Sequence, residues 1–431
     1  VIASLLGFAV MLVLAFARVP IAFAMAIVGF VGFAMLTNVN ASLAMIGQVT
    51  YETGITYELV VLPLFVLMGN LVTRSGFSEA LYRAAYAFLG HLRGGLAMAT
   101  VVACGGFSAV CGSSLATAAT MVKVAIPSMR RYRYADSLAA GSIAAGGTLG
   151  ILIPPSVIMV IYGVITETNI GKLFIAGVVP GIIAILLFLI AIGALTALRP
   201  ELGPSGERTG WRERIAAFAD VWGVALLFLL VMGGIYGGAF TATEAAGIGA
   251  GGALVLAVLR GSLGLRGLFD VLLESLATTA MMFAVLFGAL IFSNFINLAG
   301  LPSALASWIG SLEVSPTLVL IALLLMYLVL GCVLDTLAMV LLTVPAIFPV
   351  VTGLGFDPIW FGVFVVVVTE IGMLTPPVGM NVFVIKATLP DIDTKVVFKG
   401  VMPFWFAHAM LAILLIFVPA IALFLPSLMT R

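Results

Sequence analysis

Two polar tips and two proline pairs hold the chemistry this sequence can offer. Asp335 and Thr336 close the run that begins Gly331-Cys332-Val333-Leu334, and Ser113 and Ser114 follow Cys111-Gly112. Each tip interrupts an apolar stretch, 316–349 in one case and 94–127 in the other. Small hydroxyl and carboxylate oxygens suit a hard monovalent cation. Asp335 is the sharpest residue, because a carboxylate at bilayer depth costs at least about 2.5 kcal/mol on insertion scales and so marks a function. Its plainer reading is a structural carboxylate bonded to backbone. Ser113, Ser114 and Thr117 weigh less, since serine and threonine often bond back to their own helix. The proline pairs are Pro154-Pro155-Ser156, shortly after Gly146-Gly147-Thr148-Leu149-Gly150, and Pro376-Pro377-Val378-Gly379, after Gly372-Met373-Leu374-Thr375. Proline has no amide to donate and clashes with the carbonyl four residues back, so each pair unwinds its helix. Freed carbonyls in lipid are costly unless something binds them. A sodium ion is one such partner, and a kink sealed by neighbouring helices is the plainer alternative.

Other polar residues read as structural first. Glu370, just before the second proline pair, borders either the same cavity or a packed helix face. Glu244, in Thr241-Ala242-Thr243-Glu244, complements a helix N-terminus. Glu58 lies near a span end, His91 beside Arg93 reads as a surface residue, and His408 as packed within a helix. Lys123 can snorkel to the interface. Trp308, Trp360 and Trp405 read as interfacial anchors. Cys104, Cys111 and Cys332 lie in apolar or glycine-rich runs and read as small buried hydrophobes. The sequence has no GxxxxGKS or GxxxxGKT loop and no HExxH, so neither a P-loop ATPase nor a zincin is written in it. Gly106-Phe107-Ser108-Ala109-Val110 misses the GxSxG elbow by its last residue.

The elements that must hold these groups belong to a membrane. Of the 431 residues 63% are hydrophobic and 9% charged, against about 25% charged in soluble domains. That excludes a soluble enzyme, a nucleic-acid binder and a disordered scaffold. A net charge of +1 leaves no bulk field to steer a partner. No cleaved signal peptide is expected. A span needs about 20 mostly apolar residues. Ten are expected, roughly at 1–17, 20–37, 57–73, 135–164, 173–197, 218–238, 243–259, 275–298, 357–388 and 402–425. The stretches 94–127 and 316–349, broken at their tips, read as re-entrant hairpins whose arms are too short to cross.

A shift of 222 residues carries Pro127 onto Pro349, Pro154-Pro155 onto Pro376-Pro377, Gly150 onto Gly372 and Ser113-Ser114 onto Asp335-Thr336. The expected organisation is therefore a first repeat over 1–198, a cytoplasmic linker over 199–217 and a second repeat over 218–431, with unwound helix near 150–156 and 372–379. Lys and Arg collect on one side of the ten-span arrangement, which marks the cytoplasm. Only Lys172 and Arg431 fall clearly outside it, and 267–385 contains neither Lys nor Arg. Five crossings per repeat make the two halves inverted. The fold class is an all-α polytopic membrane protein of two inverted-topology repeats, about ten transmembrane helices and two re-entrant hairpins. Paired broken helices of this kind mark a substrate site near the midplane.

At these residues the chain resembles a known family. Gly105-Gly106-Phe107-Ser108, Ser113-Ser114-Leu115-Ala116-Thr117-Ala118, 146–156, 374–379, His91-Leu92-Arg93-Gly94-Gly95, Thr243-Glu244-Ala245 and 331–335 look like the large membrane (permease, DctM-like) subunit of tripartite ATP-independent periplasmic (TRAP) transporters. The likeness spans nearly the whole chain. It implies a multi-pass protein of the bacterial inner membrane that takes up a small organic acid, such as a C4-dicarboxylate, sialic acid or a sugar acid, by sodium symport. It implies an elevator mechanism. It also implies two partners: a small four-helix (DctQ-like) membrane subunit and a periplasmic (DctP-like) substrate-binding protein. No catalysis and no cofactor are implied beyond sodium as coupling ion. Carried onto this sequence, one sodium lies among Ser113, Ser114, Gly147, Thr148 and Pro154. A second lies among Asp335, Thr336, Thr375, Gly379 and Met380. Ser114, Ser156, Thr336 and Asn381 are the polar contacts expected for substrate, with half-helix N-termini facing its carboxylate. The alternative is another elevator-type sodium/anion symporter that works without a binding protein. A pore conducting without coupling and an intramembrane hydrolase using Asp335 remain as further classes.

Overall fold

The computed structural model describes residues 2–312 and 314–429; Arg431, assigned above to the outer side, lies outside them. Two apolar helices open the chain, α1 (Ile2–Phe16) and α2 (Ile21–Leu36), parted by a turn in which Arg18 takes a φ of 67°. Asn38 caps α3 (Val39–Ile55) by accepting from the Ala41 amide at 2.8 Å. A single 3-10 turn leads to α4 (Val61–Arg74) and then α5 (Phe77–Leu89). The first hairpin is α6 (Gly95–Cys111) and α7 (Ser114–Arg131). The first broken span is α8 (Asp136–Leu152) and α9 (Val157–Ile165), followed by α10 (Ile170–Leu198) and a short α11 (Trp211–Ala219). The second half runs α12 (Trp222–Tyr236), α13 (Ala242–Leu259), α14 (Leu265–Leu298) and α15 (Leu301–Ser311). The second hairpin is α16 (Pro316–Gly331) and α17 (Thr336–Gly353), and the second broken span is α18 (Pro358–Leu374) and α19 (Met380–Thr388). Helices α20 (Thr394–Phe417) and α21 (Ala420–Leu428) close the chain.

Helix bounds recur at the spacing seen in the sequence. α7 and α17 begin 222 residues apart, and so do α8 and α18. The bounds do not recur throughout: α3, the 3-10 turn and α4 stand where the offset places the single 34-residue α14, and α11 and α21 have no counterpart helix. Pro63, in the first turn of α4, has no counterpart proline within α14. It leaves that first turn without one amide donor.

Several boundaries depart from the sequence expectation. Among the described residues seven helices are long and apolar enough to cross a membrane, or eight if the bent pair α11–α12 is one span, where ten were expected. α1, α2 and α18, with 15, 16 and 17 residues, are shorter apolar helices. Their lengths are cut by the turn at 18–20 and by the second proline pair. Conversely α17, expected to be too short, has 18 residues and passes. At 1.5 Å per residue that is about 27 Å, close to a hydrocarbon core of about 30 Å. Helix persists to Leu152 and Leu374, so the unwound stretches are 153–156 and 375–379, shorter than expected. The last expected span, 402–425, is instead α20 from Thr394 to Phe417 and then α21.

The 199–217 linker is strapped down rather than free. The Gly206 amide donates to the Gly90 carbonyl at 2.8 Å and Gly94 donates to Gly203 at 2.8 Å. Thr209 and Arg214 both donate to the Ala87 carbonyl. Trp360 is no interfacial anchor: it is 1% exposed and donates its ring N–H to the Leu415 carbonyl at 3.0 Å.

α8 and α18 are the innermost helices, buried along nearly their whole length. Lipid gives helices no hydrophobic reason to associate, so close backbone packing over small residues has to hold them. A Cβ on Gly400 of α20 would lie 1.8 Å from the Ser137 carbonyl oxygen of α8, and one on Gly331 of α16 would lie 2.5 Å from Cα of Gly372 in α18.

Candidate functional site

The first tip forms because Gly112 takes a φ of 65° and ends α6, a conformation open to glycine at little cost. Ser113 is then extended, and its Oγ accepts from the Ala116 amide at 3.4 Å as the N-cap of α7. Ser114 is buried and its Oγ donates to Glu370 Oε1 at 2.9 Å. The tip presses on the last turn of α8: a Cβ on Gly150 would meet the Ser113 carbonyl oxygen at 2.6 Å and the Ser114 amide nitrogen at 2.7 Å. Beyond that turn, Pro154 and Pro155 offer no amide to the carbonyls of Gly150 and Ile151. Gly147 and Thr148, expected beside this tip, lie inside α8, and a Cβ on Gly147 would sit 3.2 Å from the Ser114 carbonyl oxygen. Thr148 is buried and its Oγ1 donates back to Ala145 at 2.6 Å. Pro154 is buried, and buried Ser156 caps α9 by accepting from the Met159 amide at 3.3 Å.

A junction between the halves lies beside this tip. A Cβ on Gly147 would sit 3.2 Å from Asn381 Nδ2 and 3.2 Å from the Ser114 carbonyl oxygen. Asn381 is fully buried and donates through Nδ2 to the Ala144 carbonyl at 3.1 Å, which leaves Oδ1 with no partner. Glu370 is fully buried too, and its Oε2 has no partner. Four helices meet here, α7 and α8 from one half and α18 and α19 from the other. Of the expected substrate contacts, Ser114 and Asn381 come together, while Ser156 stays in the α8–α9 break and Thr336 on the second tip.

The second tip is tied differently. Cys332 is only half-buried, and its Sγ, with one proton to give, lies 3.1 Å from the Pro376 carbonyl oxygen and 3.2 Å from that of Leu328. It thus brings the tip against the second proline pair, where the sequence suggested a small buried hydrophobe. Asp335 is the N-cap of α17, half-buried, with its carboxylate near the amides of Leu337 and Ala338 but without a closed cap hydrogen bond. Thr336 Oγ1 lies 2.9 Å from Met373 Sδ. Thr375 Oγ1 donates to Ile371 at 2.7 Å and accepts from the ring N–H of half-buried Trp405 at 2.9 Å. Gly379 has a φ of 60° and Met380 starts α19 half-buried. Pro376 and Pro377 are exposed, whereas Pro154 and Pro155 are buried. The first tip is thus closed in and the second is open.

Among the described residues no side-chain hydrogen bond links Asp335, Thr336 or Thr375 to Ser114, Glu370 or Asn381. No three His, Cys, Asp or Glu among them are placed to hold a metal ion. The donor set is oxygen, which fits an alkali cation. A cavity of about 840 Å³ opens elsewhere, lined by Glu58, Glu167, Asn169 and Thr241 among others, and none of the tip residues borders it. Glu370 is the residue that sequence reasoning undervalued. Its signal was a lone carboxylate in the apolar run 361–374.

The family described as the tripartite ATP-independent periplasmic transporter, DctM component, matches residues 8–421. A C4-dicarboxylate TRAP transporter large permease protein of Pseudomonas aeruginosa is 38% identical over 379 residues, covering 88% of this chain and 88% of that protein. A sialic acid TRAP transporter large permease of Vibrio cholerae is 33% identical, covering 96% of each. An ectoine/5-hydroxyectoine TRAP transporter large permease of Ruegeria pomeroyi is 33% identical, covering 98% of each. Among solved structures, the YdaH transporter of Alcanivorax borkumensis superimposes with a TM-score of 0.60 at 16% identity, covering 89% of this chain and 90% of that one, a likeness of fold alone.

Proposed function

Because the chain belongs to the DctM-component family of tripartite ATP-independent periplasmic transporters, we propose that it is the large permease of a sodium-coupled importer of small organic acids. Its work is secondary transport across the bacterial inner membrane, and it is not an enzyme. The observation that carries the sodium reading is the oxygen-lined first tip: Ser114 bonded to Glu370, beside the donorless stretch at Pro154-Pro155. One sodium binds at that tip, among Ser113, Ser114 and the carbonyls preceding Pro154. The other binds at the second tip, among Asp335, Thr336 and the stretch from Thr375 to Met380. Substrate binds between them, with Ser114, Ser156, Thr336 and Asn381 as polar contacts.

In this reading residues 1–198 and 218–431 are inverted repeats, supported by helix bounds that recur at one offset. The hairpins and broken helices move together as an elevator against the outer helices. A small four-helix membrane subunit and a periplasmic substrate-binding protein complete the transporter. Relatives of similar identity are named for C4-dicarboxylate, sialic acid and ectoine transport, so the choice of solute rests with the binding protein more than with this chain. The test is uptake into proteoliposomes holding the assembled complex. Uptake is expected only with an inward sodium gradient and the cognate binding protein. Equal uptake with potassium on both sides, or without the binding protein, would overturn the reading.

A further inference from the structure

We propose that Glu370, a residue of the second half, is the anionic ligand of the cation held at the first half's hairpin tip. This rests on the sodium-coupled reading above and adds a residue and a charge to it. The two tips are unequal in sequence: the second carries its own carboxylate, Asp335, and the first has Ser113 in the equivalent position. A monovalent cation taken out of water is held by carbonyl and hydroxyl oxygens, and a carboxylate among them adds the charge that offsets the ion's own. The first tip has none of its own. The fold brings one to it, because Ser114 Oγ donates to Glu370 Oε1 at 2.9 Å. Glu370 Oε2 remains without a hydrogen-bond partner at full burial. No Lys, Arg or His among the described residues pairs with it; the ion pairs found are Arg74–Asp270, Arg83–Asp220 and those of Arg130. As an anion, Glu370 would leave one oxygen bare with no counter-charge, a cost that a bound cation offsets and that a neutral carboxyl would not incur, which is the difference the Gln variant reads.

A second bare oxygen stands at the same junction. Asn381 Oδ1 is unpartnered and fully buried. Its amide nitrogen and the Ser114 carbonyl oxygen each lie 3.2 Å from the same point beside Gly147. Two orphaned oxygens and one hydroxyl, drawn from three helices, are the donor type a sodium ion takes. Each hairpin then has one carboxylate, Asp335 for the second and Glu370 for the first. The first site is complete only when the two halves are packed together.

The test is sodium-specific thermal stabilisation of the full chain, purified with its co-expressed membrane partner. Melting is followed in a sodium chloride series with potassium chloride holding the ionic strength. The wild-type protein is expected to melt higher in sodium. Glu370→Gln should need at least tenfold more sodium for the same rise. In potassium alone it should melt at or above the wild type, because Gln removes a charge that potassium does not offset. Asn381→Ala should also shift the sodium midpoint upward. A structural or neutral Glu370 predicts the reverse: Gln stands in for it and the midpoint stays, which overturns the proposal. Should Glu370→Gln fail to fold, Asn381→Ala decides, and a wild-type midpoint there overturns it. A wild-type protein with no sodium-specific rise sinks the sodium reading itself, whereas a rise that both variants retain sinks only this assignment.

Discussion

Asp335 and Glu370 are carboxylates at the heart of a chain that is 9% charged, and each is placed against a hairpin tip. Asp335 stands at the N-cap of α17 with its carboxylate facing the backbone amides of Leu337 and Ala338, without a closed cap hydrogen bond. Those amides offset part of its charge, and no basic side chain among the described residues pairs with it. Asp335→Asn keeps the shape and one acceptor oxygen but removes the charge, and the charge–charge attraction is strong in a low-dielectric site. Sodium-driven uptake should fall at least about tenfold, while the melting curve stays close to the wild type. Initial uptake rate against sodium concentration is the measurement. An unchanged sodium dependence would remove Asp335 from the site.

Between elements, backbone contact over glycine holds the innermost helices. The α8–α20 crossing has no room for a methyl group at Gly400, since the neighbour is the Ser137 carbonyl and not a side chain that can swing away. Gly400→Ala should destabilise by about 1–3 kcal/mol, the range for overpacking. Gly251→Ala, with nothing within 4 Å of its Cβ, is the control and should be close to neutral. A paired set of melting curves decides it. Arg130, in the last turn of α7, also ties the first hairpin to the other half by donating to Asp391, between α19 and α20. That hydrogen bond holds the Asp391 carboxyl below its ordinary range. A carboxyl depressed in the folded state stabilises above its unfolded pKa, and loses that contribution as pH falls through its folded one. Asp391→Asn should thus melt slightly lower than wild type at pH 7. The gap should close in acid below about pH 3.9. A gap that persists there would show that the contact acts through shape alone.

For the molecule as a whole, the decisive question is the relative sense of the two halves. Basic residues cluster at one end of the expected spans, and the second hairpin lies in the stretch 267–385 without Lys or Arg. In the inverted reading the base of the first hairpin faces the cytoplasm and that of the second faces the outside. Single cysteines at Arg131 and Thr317, both exposed, in a background lacking Cys104, Cys111 and Cys332, should react with an impermeant reagent from opposite sides of the membrane. Reaction of both from the same side would end the inverted-repeat reading.

Much of this protein was legible in its sequence because the signals were local. Apolar runs, the tips at Ser113-Ser114 and Asp335-Thr336 and the paired prolines each act within a few residues of themselves. Their spacing of 222 residues reappears in where α7, α8, α17 and α18 begin. What the sequence could not decide is where a helix break stops and which distant groups meet. Helix continues to Leu152 and Leu374 because a proline withdraws only its own amide, so the carbonyls before it keep their bonds until that point. Trp360 and Trp405 looked alike as aromatic side chains near span ends, yet packing buries one among α20 backbone and turns the other onto Thr375. Glu370 lies 256 residues from Ser114. Nothing in its own neighbourhood announced that partner, because a buried carboxylate takes its meaning from whatever the fold brings within hydrogen-bonding reach, and only the packing of the two halves against each other sets that.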